Sequence, residues 1–581
     1  MRLVSELRRR NVFRMAVLYV VAAWLIMQVA GVLIDLAKLP DWIGTTTLWL
    51  LAVGFPIALI FSWLYEITPE GISLEKDIAP GESITHVTGR RLDFLVISLL
   101  CAAVILLAYD KWWTSGPPEH SIAVLAFENM SDDPGQEYFS DGISEELLNL
   151  LAKIPELSVI SRTSAFSYKG KDVRLSEIAR ELNVAHVLEG SVRKVGNKVR
   201  VTAQLIEADS DTHLWSQTYD RTINDIFLIQ EQIAAEVVDQ LKITLLDDVP
   251  VVQKIDPDGY ALYLRARHLG RQGTREAWEE SIALFEQVLA VAPEYAAAWD
   301  GLANVYISQT NNSQRPIDDG YALAREAATQ ALALDPTDGS AHARLGWISM
   351  HHEGDLEVAA DYYERALALA PTNTTIMFGA ASLAMTLDRI DTAIALENYA
   401  TVHDPLYPVG HNNLGDSYLS AGKLDQAIAS FRTALTLSPG YVGAQYRIGV
   451  ALLLNGDPKL ALSAMQLESF QAWRLLGLAM AYHALGQTDE SDVALADMIE
   501  KYEQDAAYNI AYVLAFRGDT DLAFKWLQRA VLYNDPGLAE IANEPLFGNI
   551  KKDKRWLPFL DSIGKSPRQL HAIEFNVTLP D

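Results

Sequence analysis

Three hydrophobic patterns follow one another along the chain. Near the N-terminus the apolar positions are continuous: "FRMAVLYVVAAWLIMQVAGVLI" (13–34), "TTLWLLAVGFPIALIFSWLY" (46–65) and "FLVISLLCAAVILLAY" (94–109) show no polar face. A buried soluble helix of that length normally carries one, and about 20 apolar residues cross a bilayer. The pattern therefore predicts three transmembrane helices, over about 13–34, 46–65 and 93–110. The first run lacks a small-x-small cleavage site and two further runs follow it, which argues against a signal peptide.

From residue 121 the pattern changes to short strands and amphipathic helices. "SIAVLAF" (121–127) has strand length, and "SEELLNLLAKI" (144–154) sets Leu147, Leu148, Leu151 and Ile154 on one helical face. "LSVISRTSAF" reads as a second strand and "RLSEIARELN" as a second helix. In "HVLEGSVRKV–GN–KVRVTAQLIEA", Val199, Val201, Ala203 and Leu205 alternate with polar residues after a Gly-Asn pair, a two-residue hairpin signal. One more strand, "HLWSQTYDR", and a long helix, "IFLIQEQIAAEVVDQLKITLL", complete an α/β region with a mixed sheet over 121–247.

From residue 257 a helical pattern repeats. Pro371, Pro405 and Pro439 recur at one period, as do Ala359, Ala393, Ala427 and Ala461; Gly354, Gly422 and Gly456 share a phase in which Asp388 fills the empty slot. A period of about 34 residues is the tetratricopeptide signature, two antiparallel helices per unit stacked into a superhelix. The sequence 408–441, with Leu414-Gly415, Tyr418, Gly422, Ala427, Phe431, Ala434 and Pro439, resembles that repeat most fully; His411 stands where the family favours Trp. About eight units are expected over 257–537, with "NNSQRPIDD" lengthening a turn in the second. Residues 538–581 follow as a cap and tail.

The charge is divided unevenly. Ten basic and ten acidic residues balance over 1–111, so the whole net charge of −28 lies beyond them. Such a surface repels nucleic-acid phosphates, and no nucleic-acid partner is expected. Basic residues flank the apolar runs as Arg2, Arg8, Arg9, Arg10 and Arg14, then Lys76, Arg90 and Arg91, against Lys38 alone between the first two runs. Positive-inside orientation puts the N-terminus in the cytoplasm and everything after Trp113 outside, which predicts a bacterial inner-membrane protein with a periplasmic body. The single cysteine, Cys101, allows neither an intrachain disulfide nor a thiolate metal cage.

Candidate chemistry concentrates in "MSDDPGQEYFSDGISEELLNLL" (130–151), which is dense in carboxylates. An EF-hand loop started at Asp132 or Asp133 puts Pro134 or Gly135 at its third position, and both registers fail. "SDDPG" has turn chemistry, Asp141 or Ser144 suits a helix cap, and Glu145 with Glu146 suits the start of a helix. "HHEGD" (351–355) falls at a turn between helices, and "YKGKD" (168–172) lacks the rest of a phosphate loop. Walker A, G-x-S-x-G, G-x-G-x-x-G and H-E-x-x-H patterns are missing. The expectation is no catalytic residue, metal or cofactor.

The blocks "SIAVLAFENMSDDPGQEYFSDGISEELLNLLAKI", "ISRTSAFSYKGK", "IARELNVAHVLEGSVRKVGNKVRVTAQLI" and "THLWSQTYDRTINDIFLIQEQIA" resemble, in order, the TolB amino-terminal-domain-like (FlgO-like) module. "LRRRNVFR" and "FSWLYEITPEGI" are similar to the three-span anchor often found with it. The resemblance implies a non-catalytic module between a membrane anchor and tetratricopeptide repeats. A cytoplasmic DNA-binding, cyclase or kinase domain precedes the anchor in some relatives, whereas only about 12 residues do here.

The fold expected is therefore a multidomain membrane protein: three N-terminal transmembrane helices over 1–113, a linker over 114–120, a small α/β domain with a mixed sheet and an all-α tetratricopeptide superhelix. The family's register places Asp300, Asn304, Trp347, Phe378, Asn412, Asp416 and Tyr446 on the concave face as candidate partner-binding residues. The partner expected is a protein or peptide with a basic or hydrophobic segment, with lipid contacted through the spans. The function expected is a membrane-anchored periplasmic scaffold, or alternatively a receptor relaying to a separate cytoplasmic protein.

Overall fold

The computed structural model describes residues 117–154, 156–243 and 254–580, with scattered positions between 16 and 74. The chain divides into two units, Met1–Gly116 and Pro117–Asp581. In the first, β1 (Tyr65–Thr68) and β2 (Gly71–Leu74) form an antiparallel hairpin with Tyr65 opposite Leu74.

This corrects the expected membrane fold. Among the described residues no helix is long and apolar enough to cross a membrane. Most of 13–34 and 46–65, and all of 93–110, lie outside the described residues. Tyr65, the expected end of the second span, stands in a strand. An apolar run meets only one requirement of a span; an unbroken helix must also satisfy every backbone group in lipid. The inner-membrane, periplasmic localisation rested on those spans and is withdrawn with them. The architecture is instead a mostly helical tetratricopeptide-like superhelix with a small mixed sheet region.

In the second unit β3 (Ser121–Val124) lies parallel to both β5 (Ser158–Val159) and β6 (His186–Val195). The sheet order is β5-β3-β6-β7-β8, with β7 (Lys198–Glu207) and β8 (Thr212–Thr222) antiparallel and β4 (Glu128–Asn129) beside β6. The Gly-Asn hairpin forms where the alternation placed it, with Val195 opposite Lys198 and Gly196 at φ +59°. Val199, Val201, Ala203 and Leu205 all face the core.

The helices of this region start earlier or replace strands. Helix α1 (Glu137–Leu151) begins seven residues before Ser144, because Asp133 caps the preceding turn Pro134–Gln136 through the Gly135 N–H at 2.8 Å. The expected second strand stops after two residues. Ser161 then caps a short helix, α2 (Arg162–Phe166), by accepting from the Ser164 N–H. Helices α3 (Leu175–Leu182) and α4 (Ile226–Gln240) complete the region. One apolar core runs from Ile122 and Val201 through Ile233 to Tyr260 and Phe285 in the first repeat.

Eight helix pairs follow: α5/α6 (Pro257–Gly270, Arg275–Val291), α7/α8 (Ala296–Asn311, Ile317–Leu334), α9/α10 (Gly339–Ile348, Leu356–Leu369) and α11/α12 (Thr374–Thr386, Ile390–His403). The rest are α13/α14 (Pro408–Ser420, Leu424–Leu437), α15/α16 (Ala444–Leu454, Pro458–Gln466), α17/α18 (Gln471–Ala484, Thr488–Tyr502) and α19/α20 (Ala507–Arg517, Thr520–Leu532).

The periodic residues explain the stacking. Ala359, Ala393, Ala427 and Ala461 have no exposed surface; a larger side chain there would hold paired helices apart. Gly354, Gly422 and Gly456 turn the chain at φ +69°, +71° and +87°, and Asp388 takes the same left-handed turn at +59°. His411 replaces more than bulk. Its Nε2 lies 2.8 Å from the Pro405 carbonyl, as His342 Nε2 lies 3.2 Å from Pro336 O and Trp299 donates to Pro293 O at 3.0 Å. The slot demands a ring N–H aimed six residues back, and a histidine protonated at Nε2 meets that demand.

Candidate functional site

First helices of neighbouring pairs pack against one another along the array, α7 against α9 and α15 against α17 among them. In its front half, Asp300 and Asn304 on α7 both accept from Arg344 on α9, at 2.5 Å and 2.9 Å. Trp347, one turn further along, packs at a tilt against His351 with ring centroids 3.9 Å apart. Phe378 packs on Tyr407, with centroids 5.6 Å apart.

The rear half is built differently. Asp416 on α13 accepts from Arg447 Nε on α15 at 2.6 Å and from Asn412 Nδ2 at 3.2 Å. Asp416 holds the Arg447 guanidinium in its charged form, outweighing the opposing effect of burial. The Tyr446 hydroxyl donates to that of Tyr512 at 2.8 Å, and its ring stacks on Trp473 with centroids 5.1 Å apart. These rings and carboxylates wall a cavity of about 200 Å³.

The segment after the last repeat covers this cavity. Two tight turns, Pro536–Glu540 and Pro545–Phe547, bring Glu540 and Glu544 to its wall. Asn543 donates to the Met385 carbonyl at 2.7 Å, back at the end of α11. Further on, α21 (Trp556–Ser562) and α22 (Pro567–Ala572) lead to a tail whose Phe575 carbonyl accepts from Arg389 at 2.5 Å. Phe575 and Leu570 are buried in the core of repeats three and four.

Four carboxylates reach the cavity, Glu397, Asp416, Glu540 and Glu544, while the one cation among its lining residues, Arg447, is already committed to Asp416. Glu397 is 3% exposed and its Oε2 makes no hydrogen bond. Burial pushes it up to about 8, and the adjacent Ser417 hydroxyl, though not bonded in good geometry, opposes this. Burial likewise pushes Glu544 up to about 7, against the Leu546 N–H that it accepts at 2.9 Å. Tyr508 is 3% exposed and its hydroxyl is also unpartnered.

Of the seven residues placed on the inner face from sequence, Asn412 joins Asp416, and Asp416 and Tyr446 meet at the cavity. Asp300 and Asn304 meet at Arg344, whereas Trp347 and Phe378 pack separately. Sequence reasoning missed Glu397, Trp473, Tyr508, Tyr512, Glu540 and Glu544. Tyr508 and Tyr512 had a signal, aromatic residues four apart on one helix face. The two glutamates had none, because their position depends on how the final segment folds back.

The carboxylates of 130–151 go elsewhere. Asp141 and Ser144 do not cap α1; they stand inside it, Asp141 beside Lys169 at 2.5 Å and Ser144 accepting the Phe127 N–H at 2.8 Å. Glu145 is buried and ion-paired to Arg267, Arg271 and Arg162, with Glu146 also on Arg267. Burial would raise Glu145, but those three guanidinium groups hold it below the usual carboxylate range. The cluster ties α1 to α5. Among the described residues no group of three or more His, Cys, Asp or Glu side chains could hold a metal ion.

Family models described as tetratricopeptide repeat match residues 319–374, 353–408 and 412–474, and a second such model matches 475–504. The chain carries tetratricopeptide repeats. These models fall on the repeats, and the resemblance of residues 119–246 to the TolB-like module gains no support from them. Among curated relatives, "Putative adenylate cyclase 3" of Rhizobium meliloti (strain 1021) is 36% identical over 39% of this chain and 40% of that protein. "Transcriptional regulator HilA" of Salmonella typhimurium is 23% identical over 45% and 47%. The chain thus spans less than half the length of these relatives. Two solved tetratricopeptide-like structures are similar. PilF of Pseudomonas aeruginosa is 22% identical, with TM-score 0.30, over 36% of this chain and 93% of that one. YrrB, "a TPR protein with an unusual peptide-binding site", is 20% identical, with TM-score 0.23, over 36% and 93%.

Proposed function

We propose that this chain is a non-catalytic scaffold whose repeats bind a protein or peptide segment along the inner face, with a basic residue of that segment directed at the rear half. Tetratricopeptide arrays are protein–protein interaction scaffolds, and their stacked units create extended concave binding surfaces. The observation that carries the reading here is the excess of carboxylate over cation at the rear cavity, set among Tyr446, Trp473 and Tyr508. Complementary charge selects and orients a partner, and aromatic walls supply contact area at low entropic cost. Residues 121–247 then serve as a fixed platform for the array, with Ser164 donating to Asp404 at 2.6 Å and Ser161 N–H to His403 O at 2.8 Å. The non-catalytic part of the reading is supported by the use of the 130–151 carboxylates in a turn and an ion-pair cluster.

Panning a displayed random-peptide library against the full-length chain tests this. Enriched peptides should share Lys or Arg and lose binding to Asn413→Arg, which places a cation on the cavity wall. Enrichment that ignores this substitution, or no enrichment at all, defeats the reading.

A further inference from the structure

Further forward in the array the corresponding groups engage one another: Arg344 neutralises Asp300, and Phe378 covers Gly410 so closely that a Cβ there would lie 2.5 Å from the ring. The rear cavity is different in three respects. Its carboxylates come from three separate elements: α12 gives Glu397, α13 gives Asp416, and the returning segment gives Glu540 and Glu544. Two of its polar groups, Glu397 Oε2 and the Tyr508 hydroxyl, are buried and unpartnered, and a buried polar atom left unpaired is unfavourable. Its aromatic faces, Tyr446 stacked on Trp473, stand among the acids.

We propose that this cavity is a specific site for one guanidinium or alkylammonium group, held between Glu544, Glu397 and the Tyr508 hydroxyl against the Tyr446–Trp473 pair. It rests on the scaffold reading and deepens it by naming what the site takes. The chemistry is shared by an arginine or lysine side chain of a bound segment and by a free organic amine. A carboxylate ligand would be set against four acidic side chains, and a neutral apolar one would leave the buried polar atoms unpaired. A cation satisfies both demands, and rings beside it add cation–π attraction. Arg447 already lies over the Trp473 ring, 5.8 Å from its centroid, with its Nε held by Asp416, and its ion pair is with Asp416 rather than with Glu397 or Glu544. Lys551 is the other nearby cation, and its Nζ donates to the Ala542 carbonyl at 3.4 Å. The site therefore exists only when residues 536–547 are folded over the array, so the final segment completes it.

Calorimetry on the full-length chain with N-acetyl-arginine amide, agmatine and N-acetyl-citrulline amide tests the assignment. Citrulline keeps the shape of arginine and removes the charge. The two cations should bind, and citrulline should bind at least tenfold more weakly. Glu544→Gln, which retains an acceptor for the Leu546 N–H, should weaken the cations at least tenfold, and Asn413→Arg should do the same by self-occupancy. Agmatine matching an arginine peptide identifies a free amine as ligand; an arginine peptide far tighter than agmatine identifies a side chain. Citrulline equal to arginine, or cations indifferent to both substitutions, overturns the proposal. Arginine-bearing peptides that lose binding to Asn413→Arg but bind Glu544→Gln unchanged would leave the scaffold reading standing while this one falls. Amines that bind where no peptide does would reverse that result.

Discussion

Glu397 offers the sharpest quantitative test of the cavity's electrostatics. Its carboxyl is 3% exposed with one oxygen unpartnered, and burial pushes it up to about 8. In the unfolded chain a glutamate titrates near 4.3. The folded state thus holds a proton that the unfolded state releases between those values, so stability falls as pH rises through that window and the loss is complete above about 8. At pH 7 the cost is about 4 kcal/mol, from 1.36 kcal/mol per pH unit over the span from about 4.3 to 7. Glu397→Gln mimics the protonated acid without its titration, and the Ser417 hydroxyl, itself unpartnered, is there to accept from the new amide. For a unit running from Pro117 to Asp581, the unfolding entropy is on the order of 1 kcal/mol/K. The variant should therefore melt about 4 °C higher at pH 7, slightly more at pH 8.5, and level with the parent at pH 4. Thermal melts followed by circular dichroism at those three pH values measure this. A gain of equal size at every pH, or no gain at pH 8.5, refutes the desolvated carboxyl.

Three further outcomes follow from the packing. Glu145→Gln strips the central anion from Arg267, Arg271 and Arg162 and should destabilise the unit by about 3–5 kcal/mol; because Glu145 is held below its ordinary range, the parent's advantage should be full above about pH 4.5 and fade in acid, as denaturation at pH 7 and pH 3.5 would show. Gly415→Ala puts a Cβ 2.4 Å from the Phe431 ring and should cost about 1–3 kcal/mol by overpacking, with a smaller loss when Phe431→Leu is combined with it. Asp388→Gly relieves a left-handed residue at φ +59° and should raise stability by about 1 kcal/mol, readable as a shift in the urea midpoint.

The repeat was legible because stacking is a local, periodic demand. Ala359 and its counterparts must be small in every unit, and Asp388 could be assigned to a glycine slot from phase alone. The hairpin at Gly196 was legible for a similar reason, since strict alternation fixes register. Helix α1 was misread at its start because Glu137, Asp141 and Glu145 look like solvated or capping residues until Lys169, just after α2, pairs with the first two and Arg162 and Arg267, on α2 and α5, pair with the third. The apolar runs before residue 110 misled in another way: hydropathy measures composition, and the structure gives no membrane-crossing helix among the described residues. The rear cavity was half legible. Asp416 and Tyr446 followed from register, while Glu540 and Glu544 come from a segment that returns across about 150 residues to Met385, a contact no local pattern encodes.

The central claim is that the inner face of the rear repeats binds a basic segment. A photoreactive residue placed at Asn413, irradiated with an arginine-bearing peptide selected on the full-length chain, tests it most directly. The account predicts adducts at Asn413 that are competed by agmatine and absent when the photoreactive residue is moved to Leu460, which is exposed on α16. Adducts at Leu460 equal to those at Asn413, or adducts at Asn413 untouched by agmatine and by Glu544→Gln, would contradict it.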